Sequence, residues 1–484
     1  MSTIPLLRSL GLICALGLPL WAQSDDPAPA DEPQEAPTEE VVEAPADEAP
    51  EEVTEEPAEA TPVVPSTLLR AAKVHLRPGK VLENGEVLVQ GGHIVAVGQG
   101  LTVPEGATVV EGAELCAGYM DAWSTLGIDG GSASDMGTSA STRTACAASA
   151  YGEDHHRTDA RAAGVLLTRT QAGQNAFVGG LGAILRPRPA SACEDSLVVL
   201  PDAGLQLTCG VTRGGRPDVF DRVMEADSIG SMIASGLAYR ESWVEYGYEL
   251  AEWEEAIAET EAELEKDFKK AKKKRDKEVE EAKEKGKEFK EDRYKEDKRP
   301  KAPRFNLDSE VLARVAHGEL PLVVEVHGDA ELRALLAATE GFGRLRLVLS
   351  GATGAGPYAD QLADRGIAVL LQPQAPGTRG GGEWAGFDNA LFGTLSEAGV
   401  EVLLGTGGDR AGQLPLMARL AIAGGLDREA AFEAVTLGAA RAFDVADRFG
   451  SVEVGKVAEL LLLDGAPLEG RPTHVVVAGE VVEL

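Results

Sequence analysis

Cysteine is scarce in this sequence, and its spacing predicts no structural metal site. Five cysteines occur in 484 residues, and none stands in the Cys-x-x-Cys spacing typical of structural zinc sites. Cys14 lies in an N-terminal segment, residues 1–22, that is predicted below to be cleaved. The cysteines that remain after cleavage are Cys116, Cys146, Cys193 and Cys209. Four cysteines allow three pairings. Cys193 and Cys209 flank a short apolar run and are weakly favoured as a disulfide, and the alternative is four free thiols.

Positive charge is also in short supply. Lys and Arg number 46 against 79 Asp and Glu, so the formal net charge is −33. Fifteen acidic residues lie between Asp25 and Glu59, where no Lys or Arg occurs. Because binding to phosphate backbones requires a basic surface, this balance argues against nucleic acid as the main partner.

The apolar run near the N-terminus, residues 10–18, is too short to span a bilayer comfortably. Arg8 precedes it, and residues 20–22 offer a cleavage site. Residues 1–22 are therefore predicted to be a secretory signal peptide, with a retained membrane anchor as the alternative. We expect a secreted or periplasmic protein with no integral membrane span after cleavage. Residues 23–66 are dominated by Pro, Ala, Glu and Asp, which predicts a disordered acidic linker.

The rest of the chain predicts β-structure at both ends and an alternating middle. Residues 67–120 and 447–484 carry short apolar runs between turn signals, and Asn84-Gly85 is a strong hairpin signal. Strands are predicted in the middle at 165–167, 322–326, 345–349, 367–371 and 400–404, with helices at 329–340, 356–365 and 387–398. This order predicts a parallel α/β fold, either a (β/α)8 barrel or an open doubly wound sheet.

Residues 243–300 interrupt the alternation. Apolar residues recur from Trp243 to Leu264 at spacings of three and four, and an almost wholly charged stretch follows Phe268. Lys and Glu often stand four residues apart there, which supports an exposed helix, and Pro300 is expected to end it. We predict a long charged helical insertion. It is interpreted first as a surface insertion, and alternatively as an arm that forms a homo-oligomer.

Two terminal signatures resemble those of a known family. Residues 84–98, Asn-Gly-Glu-Val-Leu-Val-Gln-Gly-Gly-His-Ile-Val-Ala-Val-Gly, resemble the opening β-sandwich of the amidohydrolase superfamily, especially its imidazolonepropionase-like and dihydroorotase-like members. Residues 450–460 resemble its closing signature, with Glu459 where Asp is usual, and residues 434–441 resemble the helix before it.

The resemblance implies a fold and a chemistry. The fold is a (β/α)8 TIM-like barrel over residues 121–446, with a composite β-sandwich built from 67–120 and 447–484. The chemistry is metal-dependent hydrolysis of C–N bonds in amides or cyclic amides. One or two divalent metals, zinc most often, activate water beside a small-molecule substrate at the barrel mouth.

Most of the metal ligands that the resemblance implies are replaced. Trp123 and Thr125 stand where the two histidines of the first-strand motif are expected, and an indole N–H can only donate a hydrogen bond. Gly351 stands in the place of the sixth-strand histidine, and Gly407 in that of the eighth-strand aspartate. We could place no bridging Lys or Glu of the fourth strand.

His327 and Asp409 are the only expected ligands that remain. His327 follows the predicted strand 322–326, and Asp409 lies two residues beyond the expected place. Asp409 is also the one candidate catalytic residue. The nearby Asp154, His155 and His156 could belong to a rebuilt site or to a charged surface loop. Two protein ligands are too few for a tight zinc site, so the cofactor is predicted to be either absent or a divalent metal.

Three functional hypotheses remain open. The first is an exported amidohydrolase-like protein that has lost metal-dependent hydrolysis, a pseudoenzyme that binds a ligand or acts as a scaffold. The second is an active hydrolase with a reduced or relocated metal site. The third is a non-enzymatic interaction protein that uses the charged helix and the acidic linker. No Gly-x-Ser-x-Gly elbow supplies a substitute nucleophile.

Overall fold

The computed structural model describes residues 66–128, 139–149, 155–172, 176–187, 197–209, 219–285, 298–372 and 388–484. Within the long helix, the side chains of 219–222, 261–279 and 281–282 are not described. The predicted signal peptide, nearly all of the predicted linker, Asp154 and Cys193 lie outside these residues.

A seven-stranded sheet contains strands from both ends of the chain. Its order is β17-β16-β15-β4-β1-β2-β3, with β4 parallel to β1 and antiparallel to β15. Leu69, Leu115, Leu460 and Val476 are fully buried on it, so an apolar face holds the two chain ends together. The strands are β1 (Ser66–Arg77), β2 (Lys80–Gln90), β3 (His93–Gly98), β4 (Thr108–Ala117), β15 (Leu460–Leu463), β16 (Pro472–Val477) and β17 (Glu480–Glu483).

The hairpin predicted at Asn84-Gly85 is wrong. Strand β2 runs straight through both residues, and the chain reverses instead at Pro78-Gly79, where Gly79 has φ of 73°. Asn84 keeps φ of 47° inside the strand. Gly85 lies against Val74, since an added Cβ would come within 2.6 Å of its Cγ2. The Asn-Gly pair thus marks a tightly packed irregularity within a strand rather than a turn.

The middle of the chain forms two further sheets. The six-stranded sheet is parallel except for the β10–β7 pair, whereas the four-stranded sheet is parallel only between β5 and β6. One has the order β14-β13-β12-β11-β10-β7 and the other β5-β6-β8-β9. The two sheets adjoin where Gly407 N donates to Trp123 O and Thr125 N donates to Gly408 O, both at 2.9 Å. Among the residues that the structure describes, strand pairing does not join the two sheets into a closed barrel. The strands are β5 (Tyr119–Ser124), β6 (Val165–Thr170), β7 (Val178–Leu181), β8 (Ala183–Leu185), β9 (Val198–Leu200), β10 (Leu205–Thr208), β11 (Leu322–Val326), β12 (Leu347–Gly351), β13 (Ala368–Leu371) and β14 (Val402–Leu404).

Helices cover the outer face of these strands, as expected for an α/β fold. Alternate strand residues such as Leu205, Val324, Leu349 and Val369 point outward into one large apolar cluster with the helices. The helices are α1 (His155–Ala162), α2 (Val219–Glu284), α3 (Leu307–Ala316), α4 (Asp329–Ala338), α5 (Ala359–Asp364), α6 (Ala390–Glu397), α7 (Leu414–Ala423), α8 (Arg428–Ala434) and α9 (Leu437–Ala442). The five strands and three helices expected in the middle are all present, with shifted ends.

The long helix begins much earlier than the predicted start near residue 243. Helix α2 starts at Val219, and its first turns pack on α3 and α4 through Ala226, Ile229 and Ile233, each at most 1% exposed. Its 66 residues imply a length of roughly 100 Å. The sequence pattern pointed only to the exposed part, because residues 219–242 follow the ordinary pattern of a core-facing helix. Within the described residues, no helix combines the length and hydrophobicity needed to cross a membrane.

Cys209 is a free thiol, and Cys193, its weakly favoured disulfide partner, lies outside the described residues. Cys209 is 4% exposed and lies in the apolar layer between strands and helices. Burial raises the pKa of its thiol to about 12, which makes it unreactive at neutral pH. Cys116 is likewise free and buried, and Cys146 is free and exposed.

Candidate active site at the barrel mouth

The carboxyl ends of the parallel strands form two distinct groups of residues. The first, which we call the Trp123 corner, consists of Asp121 and Trp123 at the end of β5, Gln372 after β13, and residues 405–407 after β14. Trp123 is 1% exposed. A Cβ added to Gly405 would lie 2.9 Å from the Trp123 backbone nitrogen, and one added to Gly407 would lie 3.0 Å from its ring carbon Cζ3. The two glycines therefore leave the room that the tryptophan occupies.

The buried side chain of Asp121 links the end of β5 to the loop after β14 by hydrogen bonds. Its fully buried carboxylate accepts hydrogen bonds from the backbone nitrogens of Trp123 at 3.1 Å and Thr406 at 3.0 Å, and from the Thr406 hydroxyl at 2.5 Å. Burial outweighs these bonds and raises its pKa to about 7. Since no basic side chain contributes to this shift, Asp121 acts as a structural link between β5 and the loop after β14.

The second group, which we call the His327 corner, consists of Glu325 and His327 at the end of β11 and Ser350 and Gly351 at the end of β12. His327 Nε2 lies 3.3 Å from Glu325 Oε1. Gly351 has φ of 78°, and a Cβ added there would lie 2.6 Å from His327 Nε2. The imidazole thus fills the space that a side chain at Gly351 would need. This corner keeps titratable side chains, whereas the Trp123 corner does not expose any.

Asp409 lies apart from the inner faces of these strands. Its side chain is 59% exposed, and its Oδ2 lies 3.5 Å from His156 Nε2. The rings of His155 and His156 stack at 3.9 Å at the start of α1. The structure therefore brings together three residues that the sequence considered, Asp409, His155 and His156, but places them on the surface of the mouth. Thr125 is 8% exposed and donates its backbone N–H to Gly408.

These residues do not fit the metal centre that the resemblance implies. A zinc site needs three or four imidazole, thiolate or carboxylate ligands, whereas Trp123, Gly351 and Gly407 offer none. No group of three or more His, Cys, Asp or Glu side chains within the described ranges is arranged to hold a metal ion. We therefore derive no catalytic step through a metal.

Polar residues inside the barrel were missed by the sequence reasoning. Thr208, Glu325 and Ser350 lie side by side in the register of β10, β11 and β12, and Arg169 and Gln171 lie at the end of β6. The available signal was a charged residue within an apolar run, as in Leu-Val-Val-Glu-Val and Val-Leu-Leu-Thr-Arg.

Comparisons with known proteins agree with the resemblance. The sequence profile of the Amidohydrolase family matches residues 389–482. An adenine deaminase from Rubrobacter xylanophilus is 42% identical over 71 residues, which is 15% of this chain and only 12% of the deaminase. An amidohydrolase from Thermotoga maritima has a similar structure, with a TM-score of 0.62 and 21% identity over 86% of this chain and 99% of the other. Aspergillus niger ochratoxinase has a TM-score of 0.47 and 16% identity over 87% and 96%.

These findings define the class of protein. The resemblance to the amidohydrolase superfamily is confirmed, and the fold is the TIM-barrel type of α/β structure found in that superfamily. The sequence match is confined to the C-terminal fifth of the chain, and the structural match shows the fold alone. The activity of this chain is therefore a matter for proposal.

Proposed function

We propose that this protein is an exported member of the amidohydrolase superfamily whose metal-dependent hydrolysis of C–N bonds is lost or impaired. In this proposal the barrel mouth still binds a small molecule. The observation that carries it is the packing of the Trp123 corner. The buried indole of Trp123 fills the region in which ligands are expected, and Gly405 and Gly407 have no side chains that would occupy this space. Such mutually fitted replacements are typical of a site adapted to a filled interior rather than one damaged at a single position.

The His327 corner supports the same proposal. A histidine at residue 351 could not be accommodated while the His327 ring lies against the Gly351 backbone. The His327 ring therefore occupies the space that a histidine ligand at residue 351 would need. His327 instead contacts Glu325, which pairs in register with the buried Ser350. A neutral or charged polar ligand could be held there without a metal.

Metal analysis of the purified full-length protein is the decisive experiment. The protein would be dialysed with excess zinc or manganese, passed through a desalting column, and assayed for bound metal by inductively coupled plasma mass spectrometry. We expect well under one equivalent, and the same value for His327→Ala and Asp409→Ala. One tightly held equivalent that both substitutions remove would contradict the proposal.

An active hydrolase is the second candidate, favoured by the Glu325–His327 pair. A carboxylate 3.3 Å from an imidazole is the arrangement that orients a general base. This alternative predicts turnover in a screen of cyclic amides, dipeptides and lactones, and its loss in His327→Ala. The exposed His93→Ala is the matched control. No turnover above background with added metals would reject it.

The remaining features are also proposals. We infer a (β/α)8 TIM-like barrel with a composite β-sandwich and a charged helical insertion, preceded by a cleaved signal and an acidic linker. Export to the periplasm or the medium follows from that signal. A homo-oligomer through the charged helix is kept as an alternative, and deleting residues 245–300 tests it by sedimentation. An unchanged sedimentation profile would reject it.

A further inference from the structure

Helix α2 projects from the body of the protein beyond Arg240, whose Nη2 lies 3.1 Å from Glu319 Oε1. The helix continues from there to Glu284, a distance of roughly 65 Å. Most residues of 241–260 are exposed. The apolar residues that repeat from Trp243 at spacings of three and four are half-buried, and we call them the half-buried seam. The rest of this helix surface is therefore open to a partner.

Charge is divided into two blocks along this projecting helix. Residues 241–265 contain ten glutamates and no Lys or Arg, whereas residues 266–277 contain eight Lys and Arg against two Asp. We call residues 254–265, with six glutamates and a formal charge of −6, the acidic segment, and residues 266–277, with a formal charge of +6, the basic segment. The two segments are equal in length and opposite in charge. Residues 278–299 carry eight basic and nine acidic side chains, so they compensate neither segment.

Like charges repel one another within each block. Glu241, Glu245 and Glu249 are exposed and stand four residues apart, where like charges on a helix are neighbours and destabilise it. Lys266 and Lys270 repeat the same spacing in the basic segment. A second helix with the opposite order of charges would relieve both repulsions, because it would bring Lys beside Glu in each block.

A second copy of α2 in the antiparallel orientation has that order of charges. Pairing about the boundary between residues 265 and 266 sets the acidic segment of each helix beside the basic segment of the other, and two-fold symmetry makes the contact twice. Parallel pairing would set like charges side by side. In the antiparallel pair the end of one helix, Glu284, lies opposite Gly247 of the other, which is seven residues beyond Arg240. The helix end therefore stops short of the body of the second copy.

An exposed stripe of α2 gives a second helix room to approach. Val244, Tyr248, Ala251 and Ala258 follow one another at spacings of four, three and seven, which places them on one face of the helix. Val244 is 50% exposed and Tyr248 72%, and both alanines are exposed. No described atom lies within 4 Å of a Cβ added to Gly247. These residues are separate from the half-buried seam, so the described part of the chain leaves this face open.

We propose that α2 forms an antiparallel homodimer in which the acidic segment of each copy pairs with the basic segment of the other. This proposal rests on the homo-oligomer kept as an alternative above, and it adds the orientation of the two helices and the electrostatic cause of their pairing. It is independent of the chemistry of the barrel mouth. Because the paired charges lie on a helix surface that water reaches, added salt screens them and weakens the dimer.

Salt and charge exchange test the pairing in the full-length protein by sedimentation velocity. Wild type should be a dimer at about 50 mM salt, and the Kd should rise about tenfold or more at about 500 mM. Changing the six glutamates of the acidic segment to Lys should give a monomer, and so should changing six lysines of the basic segment to Glu. The protein with both sets of changes, in which the two charges are exchanged, should dimerise as wild type does. The six lysines are Lys269, Lys270, Lys272, Lys273, Lys274 and Lys277.

Disulfide cross-linking tests the orientation. In a background in which Cys14, Cys146 and Cys193 are replaced by Ser, Glu265→Cys should give a cross-linked dimer under mild oxidation, because the two copies of this residue meet at the centre of the pair. Ala251→Cys should give none, because in the antiparallel pair its two copies are roughly 40 Å apart. Cross-linking of Ala251→Cys would show parallel helices and would overturn the proposal.

The remaining outcomes separate this pairing from other associations. A wild-type protein that stays monomeric at low salt would reject both the homo-oligomer and this interface. A dimer that survives high salt and either single set of changes would keep the homo-oligomer but place its interface elsewhere. A dimer that is lost when residues 25–59 are deleted would show that the basic segment binds the acidic linker instead. Circular dichroism of each variant checks that α2 stays helical, and the salt dependence of wild type decides the matter with the native charges in place.

Discussion

The Trp123 corner and the His327 corner occupy the same barrel mouth but have been changed in opposite ways. In the Trp123 corner, a large apolar ring at Trp123 and a glycine at Gly407 stand where the resemblance implies polar ligands. In the His327 corner, a histidine and a glutamate remain, and only Gly351 lacks the ligand side chain that the resemblance implies. The first corner is therefore part of the packed core, while the second keeps groups that can contact a ligand.

Under the proposed loss of metal-dependent hydrolysis, the two sides of the mouth have therefore changed differently. Filling one side with an aromatic ring removes the cavity and adds apolar burial. Keeping the other side polar retains the titratable side chains of Glu325 and His327 at the mouth. The following predictions separate a structural corner from a functional one.

Trp123→Ala should have the largest effect. It removes a side chain that is 1% exposed from the centre of the Trp123 corner, so the free energy of unfolding should fall by about 4 kcal/mol. Urea unfolding followed by circular dichroism measures this change. Trp253→Ala, on the half-buried face of α2, is the control and should cost far less. A loss below about 1 kcal/mol for Trp123→Ala would mean that the ring does not fill the core.

Asp121 should make stability depend on pH. Its pKa is raised to about 7 by burial, so the folded state binds a proton more tightly than the unfolded state. The stabilisation is complete below about pH 4, where the carboxyl is protonated in both states, and is lost as pH rises to about 7, by on the order of 3 kcal/mol.

Asp121→Asn tests this effect directly. The amide oxygen can still accept the two backbone N–H bonds. Because the amide does not ionise, this variant should lack the fall in the free energy of unfolding that ionisation of Asp121 causes between pH 4 and pH 7. The exposed Asp360→Asn serves as the control and should leave the profile as in wild type. An unchanged slope in Asp121→Asn would show that Asp121 is ionised throughout this range.

Gly405→Ala should have an intermediate effect. A methyl group there would meet the backbone of Trp123 at 2.9 Å, which cannot move aside without separating β5 from the β14 end. We expect a loss of about 2 kcal/mol in the free energy of unfolding. Gly341→Ala, where an added methyl group meets no atom within 4 Å, should change it little. Equal effects at both positions would contradict the close approach of the two strands.

His327→Ala should have the smallest effect on stability. The ring rests on Gly351 at the edge of the mouth with its side chain 15% exposed, so its removal should cost about 1 kcal/mol. Differential scanning calorimetry beside wild type and Trp123→Ala provides the comparison. A loss as large as that of Trp123→Ala would make the His327 corner structural as well, and would weaken the case for ligand binding there.

The strands and helices of the barrel could largely be predicted from sequence, while the contacts within the mouth could not. Apolar runs such as Leu322–Val326 identify buried strands because every residue of a covered parallel strand is apolar or enclosed. Short strands such as Leu205–Thr208 were missed because alternating Gln206 and Thr208 look like a loop when the partner strands are unknown. The start of α2 was missed because the charged stretch dominated the pattern.

The sequence by itself determined the acidic composition, the resemblance to the amidohydrolase superfamily and the identity of the replaced ligand positions, because these depend only on residue types and their order. Only the tertiary structure decided what the replacements do. Trp123 is far along the chain from Gly405 and Gly407, and their fit depends on β5 lying beside β14. The same is true of His327 against Gly351, since burial and close contact arise only when distant strands are brought together.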